Sequence, residues 1–317
     1  MGILQERISN LETYYPDQTK TEDFETYWED TLALYRQGGQ EGTRRLVHTP
    51  YDEFVTSYDV SFVSFDGTRI HGWLLVPCRE EPRSGVVTFP GYHGGRGLPQ
   101  DHIRLAAAGF VVLAIDARGQ GGKTGSKQAL DTGTVSGWIT QGILSPQTSY
   151  YRFLFGDAYG AVTWLANQPE VAAQPLGTHG SSQGGGLSLW MGALHPKVQA
   201  CAAHVPNMCH LERGVWYSTG SLTEIKNFLR RFPEYYDQVM CTISYFDFLN
   251  IADKFSIPVL VSVGLQDTVC LPETIFGAYN HIPSTKQILW ESFAAHPVST
   301  KCFSQGLYFL QKHLIRE

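Results

Sequence analysis

Cysteine is scarce and unpatterned in this 317-residue chain: Cys78, Cys201, Cys209, Cys241, Cys270 and Cys302, with no C-x-x-C pair among them. That spacing argues against a zinc site and gives no disulfide framework, so buried free thiols in a reducing compartment are expected. No apolar run is long enough to cross a bilayer, and the opening MGILQERISN lacks the apolar core of a secretory signal. Gly2 begins a myristoylation pattern, but Glu6 stands where that pattern needs Ser or Thr. A cytoplasmic protein with no membrane partner is therefore expected. Positive charge is also short, with 24 Lys and Arg against 30 Asp and Glu, a net charge of −6. With no basic run either, a nucleic-acid partner is not expected. Repeats, low-complexity tracts and linkers are missing too, so residues 1–317 read as a single domain. The 43% hydrophobic content is ample for a full core.

The elements present alternate in kind along the chain. Residues 21–37 read as an amphipathic helix with Phe24, Trp28, Leu32 and Tyr35 as its stripe, stopped by Gly38-Gly39. Residues 1–50 as a whole read as a helical extension. Residues 58–65 and 68–76 read as strands joined by the two-residue turn Asp66-Gly67, an antiparallel start to a sheet. Then come continuous apolar runs at 85–89, 110–115, 198–205 and 258–264, typical of strands covered on both faces. Helices are expected at 101–108, 149–167 and 300–314, and a last strand at 287–290. This alternation predicts an α/β protein with a mostly parallel, doubly wound sheet. One aromatic-rich segment, 206–253, interrupts it. It reads either as a helical cap over a site or as extra helices packed on the core.

Three stretches carry chemistry. Gly180-Ser181-Ser182-Gln183-Gly184 matches G-x-S-x-G between a strand and a helix, the setting of a nucleophile elbow. Ser182 is the candidate nucleophile; Ser181 lacks the symmetric glycines, because His179 would occupy its minus-two place. A serine hydroxyl needs a base and the base needs an orienting carboxylate, in the order Ser, acid, His. Asp267 follows the strand at 258–264 and His296 follows the last strand, which meets both requirements. His93 and His179 are weaker candidates for the base, since neither follows the acid. The backbone N–H groups of Gln183 and Tyr92 are the expected oxyanion hole. Residues 117–124, ARGQGGKT, nearly match a phosphate-binding loop, but Ala117 replaces the first glycine and no amphipathic helix follows.

Arg118-Gly119-Gln120, Gly180 through Gly185 and the Asp267…His296 pair, with Gly72-Trp73, Gly137-Trp138 and Ser244-Tyr245-Phe246-Asp247, resemble carbohydrate esterase family 7. This family comprises acetyl xylan esterases and cephalosporin C deacetylases. The resemblance spans nearly the whole chain. It implies an α/β-hydrolase fold, a Ser182–His296–Asp267 triad with Tyr92 and Gln183 as oxyanion donors, and Arg118 and Gln120 as supporting residues. It further implies acetyl-ester hydrolysis through an acyl-enzyme without metal or organic cofactor, and a homohexamer admitting small acetylated molecules. An esterase of different acyl or alcohol preference, or a non-catalytic binding relative, are the alternatives. Two positions depart from the pattern. Pro297 stands where the family has Glu after the histidine, which predicts a less well braced loop. Asn207 replaces an aromatic, which predicts an altered preference if it lines the pocket.

Overall fold

The computed structural model describes residues 2–78, 83–130, 133 and 136–315. Two helices lead, α1 (Ile3–Glu12) and α2 (Phe24–Tyr35), followed by β1 (Gly42–Val47), β2 (Val55–Val63), β3 (Arg69–Pro77) and β4 (Gly85–Phe89). Next come α3 (Ile103–Ala107), β5 (Val111–Ile115), α4 (Tyr150–Ala166), β6 (Leu176–Ser181), α5 (Gln183–Leu194) and β7 (Val198–His204). The interrupting segment supplies α6 (Leu211–Tyr217), α7 (Thr223–Arg231) and α8 (Tyr236–Ser244), with short 3-10 turns after them. The chain closes with β8 (Val259–Gly264), α9 (Pro272–His281), β9 (Lys286–Glu291) and α10 (Thr300–Leu314).

All nine strands form one sheet in the order β1-β2-β3-β5-β4-β6-β7-β8-β9. β1, β2, β3 and β5 pair antiparallel, and every pairing from β5 through β9 is parallel. The parallel strands β4 to β8 are almost wholly buried, whereas the edge strand β9 is partly exposed, and successive buried residues divide between two cores. Ala200 and Ala202 of β7 pack with Leu105, Leu310 and Leu314, whereas Cys201 and Ala203 face the larger core of Trp190, Phe155 and Phe246. So α3 and α10 cover one face, and α4, α5 and α9 the other. The path from β4 goes out to β5 on one face and returns past β4 to β6 on the other. This reversal opens a crevice at the carboxyl ends of β4 and β6. The architecture is that of an α/β-hydrolase.

Three expectations need correcting. Residues 1–50 are not helical throughout, because residues 42–47 form an edge strand. Its burial shows no two-residue alternation, and its Arg-rich GTRRLV carries no apolar period to read. The hairpin turn is longer than two residues: β2 ends at Val63 and β3 begins at Arg69. The Asp66 carboxylate bonds the Thr68 backbone and side chain there, and Ser64 N–H donates to the Thr68 carbonyl, so the turn closes around a side chain. The cysteines are all free, but Cys78 and Cys241 are exposed rather than buried.

Candidate active site

The turn at Ser182 is held in a conformation that L-residues avoid, with φ 58° and ψ −121°. Its neighbours explain how it persists. A Cβ at Gly180 would collide with the Gly184 backbone, and one at Gly184 with the Phe89 carbonyl, so only glycine fits either side of the serine. Three backbone hydrogen bonds fix the turn itself. Ser182 N–H donates to the His204 carbonyl at 2.9 Å, and the Ser182 carbonyl accepts from Gly186 and Asn207 N–H at 3.0 and 2.9 Å. Ser181 is simply the last residue of β6. The strain sits on Ser182, as the symmetric glycines predict.

The carboxylate and the imidazole meet from the ends of neighbouring strands. Asp267 lies three residues past β8, buried, and its Oδ1 accepts from the N–H groups of Val269 and Cys270 at 2.7 and 3.0 Å. Its Oδ2 is 2.8 Å from His296 Nδ1. With Nδ1 so engaged, Nε2 is the ring nitrogen left to act in the cavity. His296 and Ser182 line one cavity of about 460 Å³ with Gly91, Tyr92, His93 and Glu224. The Ser182 hydroxyl contacts the Cys270 thiol at 4.0 Å. Burial, and then the Asp267 charge, push that thiol far above its ordinary pKa, so it stands beside the serine as an uncharged group.

The loop carrying His296 is braced by hydrogen bonds on either side of it. Gln266 N–H donates to the Ala294 carbonyl at 3.0 Å, and the Ser299 hydroxyl donates to Glu291 at 3.0 Å while accepting from Cys302 N–H at 3.1 Å to cap α10. None of these bonds uses the position that proline occupies. Asn207 does not line the cavity. Its amide donates to Ser221, at 3.3 Å, and Ser221 is the residue that faces inward.

The two expected oxyanion donors belong to the loop after β4 and the first residue of α5. Among the described residues no acceptor lies within reach of the Tyr92 or Gln183 backbone N–H. Gln120 ties these two segments together. Its Oε1 accepts from His93 N–H at 2.8 Å, and its Nε2 donates to Gln183 Oε1 at 3.0 Å and to the Tyr150 hydroxyl at 2.8 Å. Tyr150 in turn donates to the Arg118 carbonyl at 2.7 Å. Arg118 is fully buried, its guanidinium forked between Asp157 and Asp66. Burial raises the Asp157 pKa although Arg118 opposes it; burial also works upward on Asp66, but its bonds to Arg118 outweigh that and lower it. Arg118 therefore braces the loop on which Gln120 sits, and neither side chain lines the cavity.

Residues 117–124, the near match to a phosphate cradle, wrap an internal anion. The buried Asp116 carboxylate accepts from the N–H groups of Arg96, Lys123 and Thr124 at 2.8, 2.8 and 3.3 Å. A carboxylate already fills the nest a phosphate would need.

The segment 206–253 supplies one wall of the cavity through Gly220, Ser221, Thr223 and Glu224. Glu224 went unnoticed in the sequence, where an acidic residue opening a helix is ordinary. Its Oε2 accepts from the Tyr92 hydroxyl at 2.6 Å, and that hydroxyl accepts from Trp138 N–H at 3.0 Å. Burial raises the carboxyl's pKa, opposed by the Tyr92 bond.

Known proteins resemble the chain in sequence and in fold. The family model described as acetyl xylan esterase (AXE1) matches residues 1–314. An acetyl xylan esterase from Paenibacillus sp. R4 superposes with a TM-score of 0.92 at 34% identity, covering 99% of this chain and 100% of that one. Acetyl xylan esterase 1 from Thermoanaerobacterium sp. JW/SL YS485 gives 0.88 at 29% identity, covering 98% of each chain. The acetyl esterase Axe7A of Xylanibacter ruminicola is 24% identical over 309 residues, 94% of this chain and 69% of that protein. With a matching family model over almost its entire length, the chain belongs to the acetyl xylan esterase family.

Proposed function

We propose that this carboxylic ester hydrolase removes acetyl groups from small acetylated molecules, xylo-oligosaccharides first and cephalosporin-type acetates second, through an acyl-enzyme on Ser182. The observation that carries the reading is one cavity lined by a strained serine and by a histidine whose far nitrogen is held by a buried aspartate. His296 Nε2 takes the Ser182 proton as Oγ attacks the acetyl carbonyl, and Asp267 stabilises the imidazolium that results. The tetrahedral oxyanion is received by the Tyr92 and Gln183 N–H groups, at the positive end of α5. His296 then protonates the departing alcohol. Water, deprotonated by the same ring, attacks the acetyl-enzyme and releases acetate. No step asks for a metal or an organic cofactor.

The cavity of about 460 Å³ far exceeds an acetyl group, and its remaining space fits an alcohol of sugar size. Assembly as a homohexamer, with sites facing an inner chamber, rests on family resemblance and is read from the native mass in solution. Among the described residues no helix is long and apolar enough to cross a membrane. A cytoplasmic location is in keeping with that and is read by fractionating the source cells. The test of the chemistry is acetate release from p-nitrophenyl acetate and from acetylated xylo-oligosaccharides, with Ser182→Ala alongside. Turnover should fall by several orders of magnitude, roughly 10⁴-fold or more, in the variant. A folded Ser182→Ala protein with near wild-type rates would refute the assignment.

A further inference from the structure

The cavity that holds the reactive groups is also lined by the first turn of α7 and the residues before it. That wall is polar: Ser221, Thr223 and Glu224 face the space in front of Ser182 and His296. Among the described residues lining the cavity, Glu224 is the one carboxylate. One of its oxygens is committed to the Tyr92 hydroxyl at 2.6 Å. The Ile139 backbone N–H also bonds the carboxylate, and among the described residues no further side chain donates to it, so part of its roughly four lone-pair sites is left for a ligand. The carboxylate packs closely on Gly137, where φ is 111° and a Cβ would overlap its Oε2 and Cδ. Tyr92, His93 and Trp138 meet edge to face beside it, with ring centroids 4.6 to 5.5 Å apart. A fixed acceptor next to aromatic rings is suited to an alcohol rich in hydroxyl groups: the carboxylate takes their protons and the rings cover their C–H faces.

We propose that Glu224 is a specificity-determining residue, whose cavity-facing oxygen accepts hydrogen bonds from hydroxyl groups on the alcohol part of the substrate. The inference rests on the esterase reading above and concerns the alcohol, not the acyl group. Hydroxyl groups held there orient the alcohol part of the ester in the cavity that His296 also lines. A substrate whose alcohol has no further hydroxyl, such as p-nitrophenyl acetate, gains nothing from Glu224, and this difference makes the idea testable.

The experiment is the ratio of kcat/KM for acetylated xylobiose to kcat/KM for p-nitrophenyl acetate, in wild type and in Glu224→Gln. Glutamine keeps an oxygen for the Tyr92 hydroxyl and replaces the other carboxylate oxygen by an amide NH2, removing the charge. The ratio should fall roughly 10- to 100-fold, the effect of losing hydrogen bonds to a charged acceptor. Unacetylated xylobiose should also become a weaker inhibitor of p-nitrophenyl acetate hydrolysis by a similar factor. Glu224→Asp, which draws the carboxylate back by one methylene, serves as a second variant and should lower the ratio in the same direction. If the effect ran only through Tyr92 and the oxyanion loop, both substrates would slow together. An unchanged ratio would overturn the proposal while leaving the esterase intact. A wild-type enzyme that hydrolysed neither substrate would overturn the esterase reading itself, and this inference with it.

Discussion

Gln120 is the residue whose removal would best separate positioning from chemistry, because it touches neither the serine nor the cavity. Gln120→Ala deletes four hydrogen bonds at once, to His93 N–H, the Tyr150 hydroxyl and both Oε1 and Nε2 of Gln183. The Gln183 side chain is buried, with 2% of the residue exposed, so its orphaned amide oxygen costs about 1–3 kcal/mol unless it turns to another donor. Either response shifts the backbone at the first residue of α5 and frees the 90–95 loop, the two segments carrying the proposed oxyanion donors. Losing a donor outright costs roughly 10²- to 10³-fold in kcat. Displacing both slightly should cost about 10- to 100-fold, since small misplacements in a preorganised site are expensive. The loss should appear in kcat with KM nearly unchanged, because the interaction strengthens only as the oxyanion forms. Steady-state kinetics on p-nitrophenyl acetate reads this, with a thermal melt to establish folding. Gln120→Glu keeps the acceptor for His93 but loses the donor to Gln183, and should fall between wild type and alanine. A folded Gln120→Ala enzyme within about threefold of wild-type kcat would refute the argument that this bridge sets the oxyanion geometry.

Further outcomes follow from the same contacts. Gly184→Ala drives a Cβ into the Phe89 carbonyl at the crossing of α5 and β4, and soluble yield and melting temperature should fall sharply; a wild-type melting curve would contradict the packing argument. Arg118→Lys loses the fork and leaves the buried Asp157 poorly paired, which should cost about 3–5 kcal/mol in chemical denaturation; a loss under about 1 kcal/mol would count against it. His204 gives a pH signature. Burial holds its imidazole down at about 4, against an ordinary value of 6.5, so the unfolded chain binds the proton more readily than the folded one. Its contribution is therefore intact above pH 6.5 and is lost as the pH falls toward 4, by about 3 kcal/mol in total. Denaturation of wild type and His204→Leu at pH 7, 6 and 5 should show a shallower decline in the variant; parallel declines would dismiss the histidine.

Much of this protein was legible in its sequence because the signals were local. The apolar runs at 85–89, 198–205 and 258–264 had to be buried strands, and α10 begins and ends where its pattern does. The G-x-S-x-G turn could be read because its glycines answer to clashes within five residues and one strand crossing. Asp267 and His296 could be named because strand ends point at one crevice in a parallel sheet, so chain order alone selects them. The edge strand β1 was missed for the complementary reason. It is held by pairing with β2 and carries no period of its own.

What only the tertiary structure decided lies in contacts between residues far apart in the chain. Gln120 reaches Gln183, and Glu224 meets Tyr92 across 132 positions, through side-chain geometry that no spacing rule encodes. Asn207 was expected to shape the pocket if it lined it, and it instead acts behind Ser221, because the strained run at Val205, Met208 and His210 turns the chain there. The near match to a phosphate cradle was settled by Asp116, whose buried carboxylate occupies the nest from within. Sequence determines which residues can strain, cap or ionise. Which of them meet is fixed only when the sheet closes and brings the ends of its strands together.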